Sequence, residues 1–256
     1  RKERDLLAVE IGGDGLLYAG GEFTTAGGVA ANYIARWDGA QWHPLDSGMN
    51  NEVRALAVGS DGSLYAGGWF TTAGGVAVSR IARWDGAQWH PLGSGMSGDV
   101  WSVQTLAFGY NGSLFTGGMF TSAGGVTAYY IAGWDGTQWH SLSSGMDDWV
   151  YALAVQADGL LYAGGRFTRA GGVAVHGIAR WDGAHWHPLG SGMNGTVHTL
   201  AFGPDGSLYI GGGFDAAGEV AANHIARWDG SRWHPLGSGT NGYVYTLAVG
   251  PDGSLY

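Results

Sequence analysis

Carboxylate and imidazole side chains recur at regular intervals along this chain, and they are the groups most able to bind a metal ion. An Asp-Gly or Asn-Gly pair occurs in every repeat, as at Asp61-Gly62 and Asn111-Gly112. A calcium loop needs several oxygen ligands at close alternating spacing, and the sequence contains no such run. We therefore interpret these pairs as tight hairpin turns, in which glycine supplies the positive φ angle.

Histidines recur five times behind a tryptophan, a spacing that distributes them around a repeat structure rather than gathering them on one ion. The segment His185-Trp186-His187 places two imidazoles on one face of a strand, which is a weak metal signal compared with a solvated outer strand. We expect no metal site. The recurring histidines are His43, His90, His140, His187 and His234.

Other catalytic patterns are missing from the sequence. Cysteine is absent, which excludes a disulfide framework, a thiolate metal site and a cysteine nucleophile. No Ser/His/Asp order or close carboxylate pair stands out from the repeats, and no helix pattern follows glycine pairs such as Gly74-Gly75 to make a phosphate site. We expect a protein that is not an enzyme and has no cofactor.

The charge balance constrains the partner. The 256 residues include 21 acidic and 12 basic side chains, a net charge of −9, which argues against nucleic acid and anionic membranes. No apolar run approaches a membrane span, and residues 1–10 lack the apolar core of a signal peptide. These features predict a soluble protein or a trimmed piece of one, without membrane insertion. They do not determine its compartment, for which we favour an extracellular or cell-surface location.

The elements that position these residues follow from an internal repeat. Trp-Asp-Gly begins at Trp37, Trp84, Trp134, Trp181 and Trp228, at intervals of 47, 50, 47 and 47 residues. This period is typical of a propeller. In the second repeat the four strands are read at 55–58, 64–68, 81–84 and 88–90. Proline in the fourth strand favours an outer edge, and the small side chains of the first favour the innermost position.

We therefore predict an all-β fold in which residues 1–256 form a single β-propeller domain. It would have about five four-stranded antiparallel blades of 47–50 residues. The bulky pair Trp84 and Trp89, repeated in every unit, is expected to fill the space between neighbouring sheets.

The repeat resembles a known family. A strand ending in double glycine, Tyr18-Ala19-Gly20-Gly21, followed by the spaced pair Trp37 and Trp42, is similar to the kelch repeat. The units are more alike than kelch repeats usually are, and look like the highly repetitive, recently amplified propellers of bacterial genomes. The resemblance implies the propeller fold but no particular activity. Kelch enzymes of the galactose oxidase kind need a cysteine that this chain lacks.

The two ends of the chain overlap in sequence. Residues 244–256 restart a sixth unit, while residues 7–18 already supply a first and a second strand. Either the strand at 245–249 displaces its N-terminal counterpart and closes five blades, or the chain is cut from a longer array. Exchange of strands between two chains is a third arrangement. We expect closure and a monomer, with a strand-exchanged dimer as the alternative.

The repeats differ from one another at three places: around the valine that opens the first strand, at the end of the second strand, and before the third. In an up-down-up-down blade these places share one side of the disc. Aromatic residues and arginine are frequent there and dominate binding hot spots. The candidate contact residues are Glu22, Tyr33, Arg54, Trp69, Arg80, Trp101, Met119, Tyr129, Tyr130, Trp149, Tyr151, Arg166, His176, His198, His224, Tyr243 and Tyr245.

Three functions fit this pattern. The first is a binding platform that recognises a protein or another macromolecule through the variable side, with loss of binding expected when Trp69, Tyr129 and Trp149 are replaced together. The alternative is a multivalent lectin with an equivalent glycan site in each blade, built from residues such as Trp37-Asp38-Gly39 and Gln41-Trp42-His43. The third is a rigid spacer without a ligand of its own.

Overall fold

The computed structural model describes residues 5–98 and 102–256, and every regular element in those ranges is a β-strand. The main strands form five four-stranded antiparallel sheets, and the chain has the β-propeller fold. In each sheet the strands follow chain order from one edge to the other, with the proline-containing fourth strand of the first, second, fourth and fifth sheets at an edge. This confirms the expected all-β class and meander.

The five sheets have closely matching strand bounds. The first contains Leu6–Ile11, Leu17–Gly21, Ile34–Trp37 and Trp42–Pro44, and the second Val53–Val58, Leu64–Gly68, Ile81–Trp84 and Trp89–Pro91. The third contains Val103–Phe108, Leu114–Gly118, Ile131–Trp134 and Trp139–Ser141. The fourth contains Val150–Val155, Leu161–Gly165, Ile178–Trp181 and Trp186–Pro188, and the fifth Thr196–Phe202, Leu208–Gly213, Ile225–Trp228 and Trp233–Pro235.

The chain divides into two compact units. The first unit contains residues up to Ala128 together with Ala132–His140, and the second contains Tyr129–Ile131 and Ser141–Tyr256. Within the first unit the opening strands of consecutive sheets contact one another, as do those of the fourth and fifth sheets within the second. Such mutual contact is expected of strands in the innermost position.

The hairpins form where the turn residues predict them. Asp61 accepts a hydrogen bond from the Ser63 amide at 3.0 Å, and Gly62 has a φ of 81°. In the second hairpin, Asp85 accepts from two amides, those of Ala87 and Gln88, each at 2.9 Å. A short acidic side chain and a glycine thus satisfy the turn backbone locally.

The segments between the second and third strands, such as Thr72-Ala73-Gly74-Gly75-Val76, form small ribbons. Two glycines with positive φ turn each of the first four ribbons, as Gly74 and Gly75 do, whereas Gly218 and Glu219 turn the fifth. The ribbons are Thr25–Ala26 with Val29–Ala30, Thr72–Ala73 with Val76–Ala77, Ser122–Ala123 with Val126–Thr127 and Met96–Ser97, Arg169–Ala170 with Val173–Ala174, and Ala216–Ala217 with Val220–Ala221.

The double glycine at the end of each second strand permits close stacking of sheets. A Cβ on Gly67 would overlap Cγ1 of Val103 in the next sheet and lie 3.0 Å from its Cβ. A Cβ on Gly68 would lie 3.0 Å from Cα of Val53 in its own sheet. The first glycine therefore accommodates the neighbouring sheet, and the second accommodates the adjacent strand.

The fourth-strand tryptophans form the rest of the core between sheets, as expected. Trp89, Trp139, Trp186 and Trp233 are buried. The Trp139 indole N–H donates to the Leu92 carbonyl of the preceding sheet at 2.9 Å, so the ring supplies both apolar filling and a hydrogen bond. The first-strand valines Val53, Val103, Val150 and Val197 are also buried.

The terminal strands differ from our expectation. Leu6–Ile11 keeps its place as the first strand of the first sheet, because a short hairpin closed by the Gly12 amide and the Leu16 carbonyl holds it there. Residues 245–249 do not displace it. Val244 instead contacts the fifth sheet at Gly211, and Ala248 and Tyr256 exchange backbone hydrogen bonds. In residues 5–98 and 102–256 no helix is long and apolar enough to cross a membrane.

Candidate functional site

The register of the sheets places the three variable positions at one end, which we call the variable end. In the second sheet, Val53 pairs with Gly68 and Ile81 with Gly67. Arg54, Trp69 and Arg80 therefore lie close to this end. The Asp-Gly turns lie at the opposite end, which we call the turn end. The three positions are therefore grouped at one end of the second sheet.

The backbone at the variable end adopts a left-handed conformation just before the third strand. Tyr33, Arg80, Tyr130 and His224 have φ between 65° and 67°, and Gly177 with a φ of 78° holds the same position in the fourth repeat. The position links two segments, since the Arg80 amide donates to the Phe70 carbonyl and its carbonyl accepts from the Gly68 amide, each at 3.0 Å. Non-glycine residues adopt this conformation at a cost of about 1–2 kcal/mol.

Side chains at the variable end of the second unit form a continuous chain of ring contacts, which we call the aromatic belt. Ring centroids of successive members are 5.1–6.4 Å apart, within the range of favourable aromatic pairs. Three consecutive repeats contribute to it. In order of contact the belt contains Trp149, Tyr151, His198, Tyr245, Tyr243 and His224.

The belt is open to solvent at one end. Tyr243 and Tyr245 are 60% and 68% exposed, whereas Trp149, Tyr151 and His198 are half-buried. Burial lowers the pKa of His198 below its ordinary value and raises the pKa of the Tyr151 phenol. At neutral pH these groups are therefore neutral rings that carry polar hydrogen-bonding atoms.

Arg166 extends the belt with a positive charge. Its guanidinium lies 4.6 Å from the Trp149 ring centroid, a cation–π distance, and its Nε donates to Asp148 at 2.7 Å. The carboxylate of Asp148 raises the pKa of this arginine further. Beside it is a cavity of about 300 Å³ whose polar lining includes Thr168, His176 and Asn194.

The first unit presents a more polar arrangement. The Arg54 Nε donates to Glu52 at 2.5 Å and its Nη1 to the Gln104 side chain of the next sheet at 3.3 Å. Burial raises the pKa of Glu52. Trp69 is exposed at this end of the first unit, and Tyr129 is exposed in the second. The other predicted contact residues, Glu22, Met119 and Tyr130, are half-buried.

The third repeat contains one predicted contact residue that the structure does not describe. Trp101 lies outside the described residues, and the first strand of the third sheet opens at Val103. Ser102 and Gln104 therefore flank the valine that opens this strand, as Glu52 and Arg54 flank Val53. Sequence reasoning missed Gln104 because it took Val100 instead of Val103 as the opening valine. The segment Thr105-Leu106-Ala107, which matches Ala55-Leu56-Ala57 of the second repeat, contains the signal that would have corrected this choice.

At the turn end, each recurring histidine pairs with the aspartate of its own repeat. His90 Nε2 lies 2.6 Å from Asp85, and the other four repeats have the same distance. Hydrogen bonds from the Gln88 amide, the His90 side chain and the Ala87 amide hold the pKa of Asp85 well below its usual range. Among the described residues, no group of three His, Cys, Asp or Glu side chains is arranged to hold a metal ion.

Known structures share this fold at low sequence identity. The extracellular domain of a putative one component system, BT4673 from B. thetaiotaomicron, has a TM-score of 0.64 and 10% identity, covering 98% of this chain and 31% of that one. A chain of a mitotic checkpoint complex has a TM-score of 0.63 and 16% identity, covering 99% and 71%. Virginiamycin B lyase from Staphylococcus aureus, in a catalytically inactive form with quinupristin, has a TM-score of 0.60 and 12% identity, covering 100% and 78%.

Comparisons of sequence match a much shorter part of the chain than comparisons of structure do. A family model described as a beta-propeller domain of unknown function, DUF5122, matches residues 59–84. No curated protein matches the chain. The chain spans 31% of the BT4673 extracellular domain. These similarities agree with a β-propeller and extend no further than the fold, because the same fold hosts unrelated functions.

Proposed function

We propose that this chain is a non-enzymatic recognition platform that binds a protein through the variable end of its sheets. The observation that carries the proposal is the aromatic belt of the second unit, with Arg166 stacked on Trp149. Tryptophan, tyrosine and arginine dominate binding hot spots because they combine large contact area with directional polar groups.

The geometry of the belt supports binding rather than core packing as its role. Tyr243 and Tyr245 leave more than half of their surface exposed, although the folded chain has buried tryptophans elsewhere for core filling. The contacts of these rings with one another limit their rotation, so little side-chain entropy is lost when a partner covers them. A rigid, neutral and amphipathic surface fits a protein partner better than it fits a polyanion.

The left-handed residues provide independent support. Glycine adopts this conformation without steric cost and occupies the position in the fourth repeat as Gly177, but the other repeats retain Tyr33, Arg80, Tyr130 and His224. Backbone strain of this kind concentrates at functional positions. We infer that these bulky side chains are retained for their contacts with the partner.

The absence of catalysis is part of the proposal. The repeated aspartates at the turn end accept amide hydrogen bonds and keep a low pKa, as Asp85 does, so they are ionised at neutral pH and unsuited to act as general acids. The likeness to a receptor extracellular domain supports an extracellular or cell-surface location. One partner molecule per chain is expected.

The experiment is capture of extracellular proteins on the immobilised chain, followed by affinity measurement with the purified partner. The test variant is Tyr243→Ala combined with Tyr245→Ala. Loss of one hot-spot ring costs about 2 kcal/mol, or about 30-fold in affinity, so loss of both should weaken binding by at least that factor and by about 1,000-fold where the two contributions add.

The matched control is Tyr110→Ala at the turn end, where Tyr110 is 73% exposed. This change removes an equally exposed tyrosine and should leave the affinity within about twofold. Circular dichroism of all variants verifies folding. Equal weakening by both changes, or by neither, would refute the variable end as the binding surface.

A further inference from the structure

A separate cavity lies at the turn end, between the second and third sheets of the first unit. Its volume is about 460 Å³, a size suited to a small ligand rather than to a protein surface. Polar and aromatic side chains of two repeats surround it. They are Asp61, Tyr65, Arg83, His90 and Trp134.

Regular elements fix each of these side chains. Tyr65 on the second strand and Arg83 on the third are directly paired across the sheet, and Asp61 belongs to the adjoining hairpin turn. Trp134 comes from the next sheet and packs against the same core cluster as Tyr65. His90 is held by Asp85 at 2.6 Å. The cavity is thus built on strands and tight turns, which favours a preformed site.

The cavity is lined by one guanidinium, that of Arg83, and one carboxylate, that of Asp61. The Arg83 Nη1 lies 3.6 Å from Asp61 Oδ2 and 3.3 Å from Ser63 Oγ. Burial raises the pKa of the Tyr65 phenol, which therefore remains a hydroxyl donor at neutral pH. The cavity is therefore lined by hydrogen-bond donors and acceptors in which the positive charge of Arg83 is matched by the negative charge of Asp61. The half-buried Trp134 adds an apolar surface. A neutral ligand with several hydroxyls and one apolar face would use all of these groups.

The same set recurs in two other repeats. Tyr18 is paired with Arg36 in the first sheet, and Tyr162 with Arg180 in the fourth. The following repeat supplies Trp84 to the core cluster of Tyr18, and Trp228 to that of Tyr162. The turn aspartates are Asp14 and Asp158. Three such sets of residues are present within the two units, and in two of them the tyrosine hydroxyl donates to a side chain of its own repeat: Tyr162 to Gln156 at 2.9 Å and Tyr18 to Asp14 at 3.4 Å.

The third repeat breaks the set. It carries Asn111, Phe115 and Gly133 in place of the turn aspartate, the tyrosine and the arginine. Its strands nevertheless form the same four-stranded sheet, so the tyrosine and arginine are not required for folding. The third repeat therefore shows what a repeat without the proposed site looks like, and it serves as an internal negative control.

We propose that this turn-end cavity, together with the matching residues of the first and fourth repeats, binds a neutral pyranose, the terminal sugar of a glycan. Vicinal hydroxyls would bridge the guanidinium and the carboxylate, with the phenol oxygen as an additional hydrogen-bond partner, while the C–H face of the sugar packs against the tryptophan ring. Individual sites of this polarity bind weakly, and three copies on one chain give avidity for clustered glycans. The proposal is independent of protein binding at the variable end.

The experiment follows the indole N–H signals of the ¹⁵N-labelled chain in two-dimensional NMR. The probes are the methyl glycosides of glucose, galactose, mannose and N-acetylglucosamine, with sodium acetate as an anionic comparison. At least one sugar should shift the signals of Trp84, Trp134 and Trp228. The signal of Trp181, which follows the third repeat, should stay in place.

Two sets of variants test the assignment. Replacement of Arg36, Arg83 and Arg180 by glutamine should weaken sugar binding at least about tenfold, since hydrogen bonds to charged groups contribute about 1.5–3 kcal/mol. Replacement of Tyr18, Tyr65 and Tyr162 by phenylalanine should weaken it about three- to tenfold, and Phe115 shows that the fold accepts this change.

The control is the Tyr243→Ala and Tyr245→Ala variant, which should bind the sugar with unchanged affinity and so separates this proposal from protein binding. No shift with any of the four sugars would overturn the proposal. Shifts caused by acetate alone, or sugar binding that both sets of variants retain in full, would overturn it as well.

Discussion

Substitution of Gly67 by alanine tests how the sheets stack. The added Cβ would overlap Cγ1 of Val103 and lie 3.0 Å from its Cβ. Val103 is fully buried and belongs to a strand of the next sheet, so it has little room to move. We expect Gly67→Ala to separate the two sheets locally and to lower the free energy of unfolding.

The magnitude follows from two opposing contributions. Adding a methyl group to a well-packed core destabilises the folded state by about 1–3 kcal/mol. Alanine also lowers the conformational entropy of the unfolded chain relative to glycine, which offsets about 0.4–1 kcal/mol of that loss. The net loss should be about 1–2 kcal/mol. Val103→Ala alone should cost about 2 kcal/mol, since it removes two methyl groups. The double variant should lose less than the sum of the two, by about 1 kcal/mol or more.

Urea denaturation followed by tryptophan fluorescence measures these changes as shifts of the midpoint. Gly242→Ala is the control, because an added Cβ there meets no atom within 4 Å, and its effect should be within about 0.5 kcal/mol. Additive losses for Gly67→Ala and Val103→Ala would refute the stacking contact. An unchanged midpoint for Gly67→Ala would do the same.

Three further predictions concern the core, the variable end and acid stability. Trp139→Phe should lower the free energy of unfolding by about 1–3 kcal/mol, because the buried Leu92 carbonyl loses the indole donor at 2.9 Å; an unchanged thermal midpoint would contradict this. Arg80→Gly should leave stability equal or raise it by up to about 1 kcal/mol, because it relieves a φ of 67°, while it weakens partner binding; a loss of stability would show that the left-handed residue is structural. Hydrogen bonds from His140, Gln138 and Thr137 hold the pKa of Asp135 well below its ordinary value; their stabilisation is present above the unfolded pKa of about 3.9 and is lost as pH falls below it. The thermal midpoint should therefore drop between about pH 5 and pH 2, less steeply in Asp135→Asn, and an equal drop in both proteins would contradict this assignment.

The hairpins, the edge strands and the buried tryptophans could be predicted from the sequence because their signals are local. An Asp-Gly turn closes a hairpin between residues a few positions apart, and the proline of Trp89–Pro91 excludes that strand from the middle of a sheet. The two-residue ribbons escaped prediction, since pairings as short as Thr72–Ala73 with Val76–Ala77 leave no periodicity to detect.

The positions of the residues in the aromatic belt could be predicted from the sequence, but the contacts between them could not. The positions of Tyr151, His198 and Tyr245 at one end of their strands could be predicted from the repeat. The contacts between their rings could not, because each joins residues 47 positions apart and depends on how closely the strands stack. Glycine–valine contacts such as Gly164 with Val197 set that stacking distance. Which terminal segment supplies the first strand of the first sheet likewise could not be predicted. Residues 7–18 and 244–256 are similar in sequence, and similarity alone does not decide between them.

Hydroxyl-radical footprinting of the chain with and without its captured protein partner tests the central claim most directly. Oxidation of each aromatic side chain reports its exposure to solvent in the free chain and in the complex. Recognition through the variable end predicts protection of Trp149, Tyr243 and Tyr245 and unchanged oxidation of Tyr110. Protection of Tyr110 with unchanged oxidation of Tyr243 and Tyr245 would contradict the account.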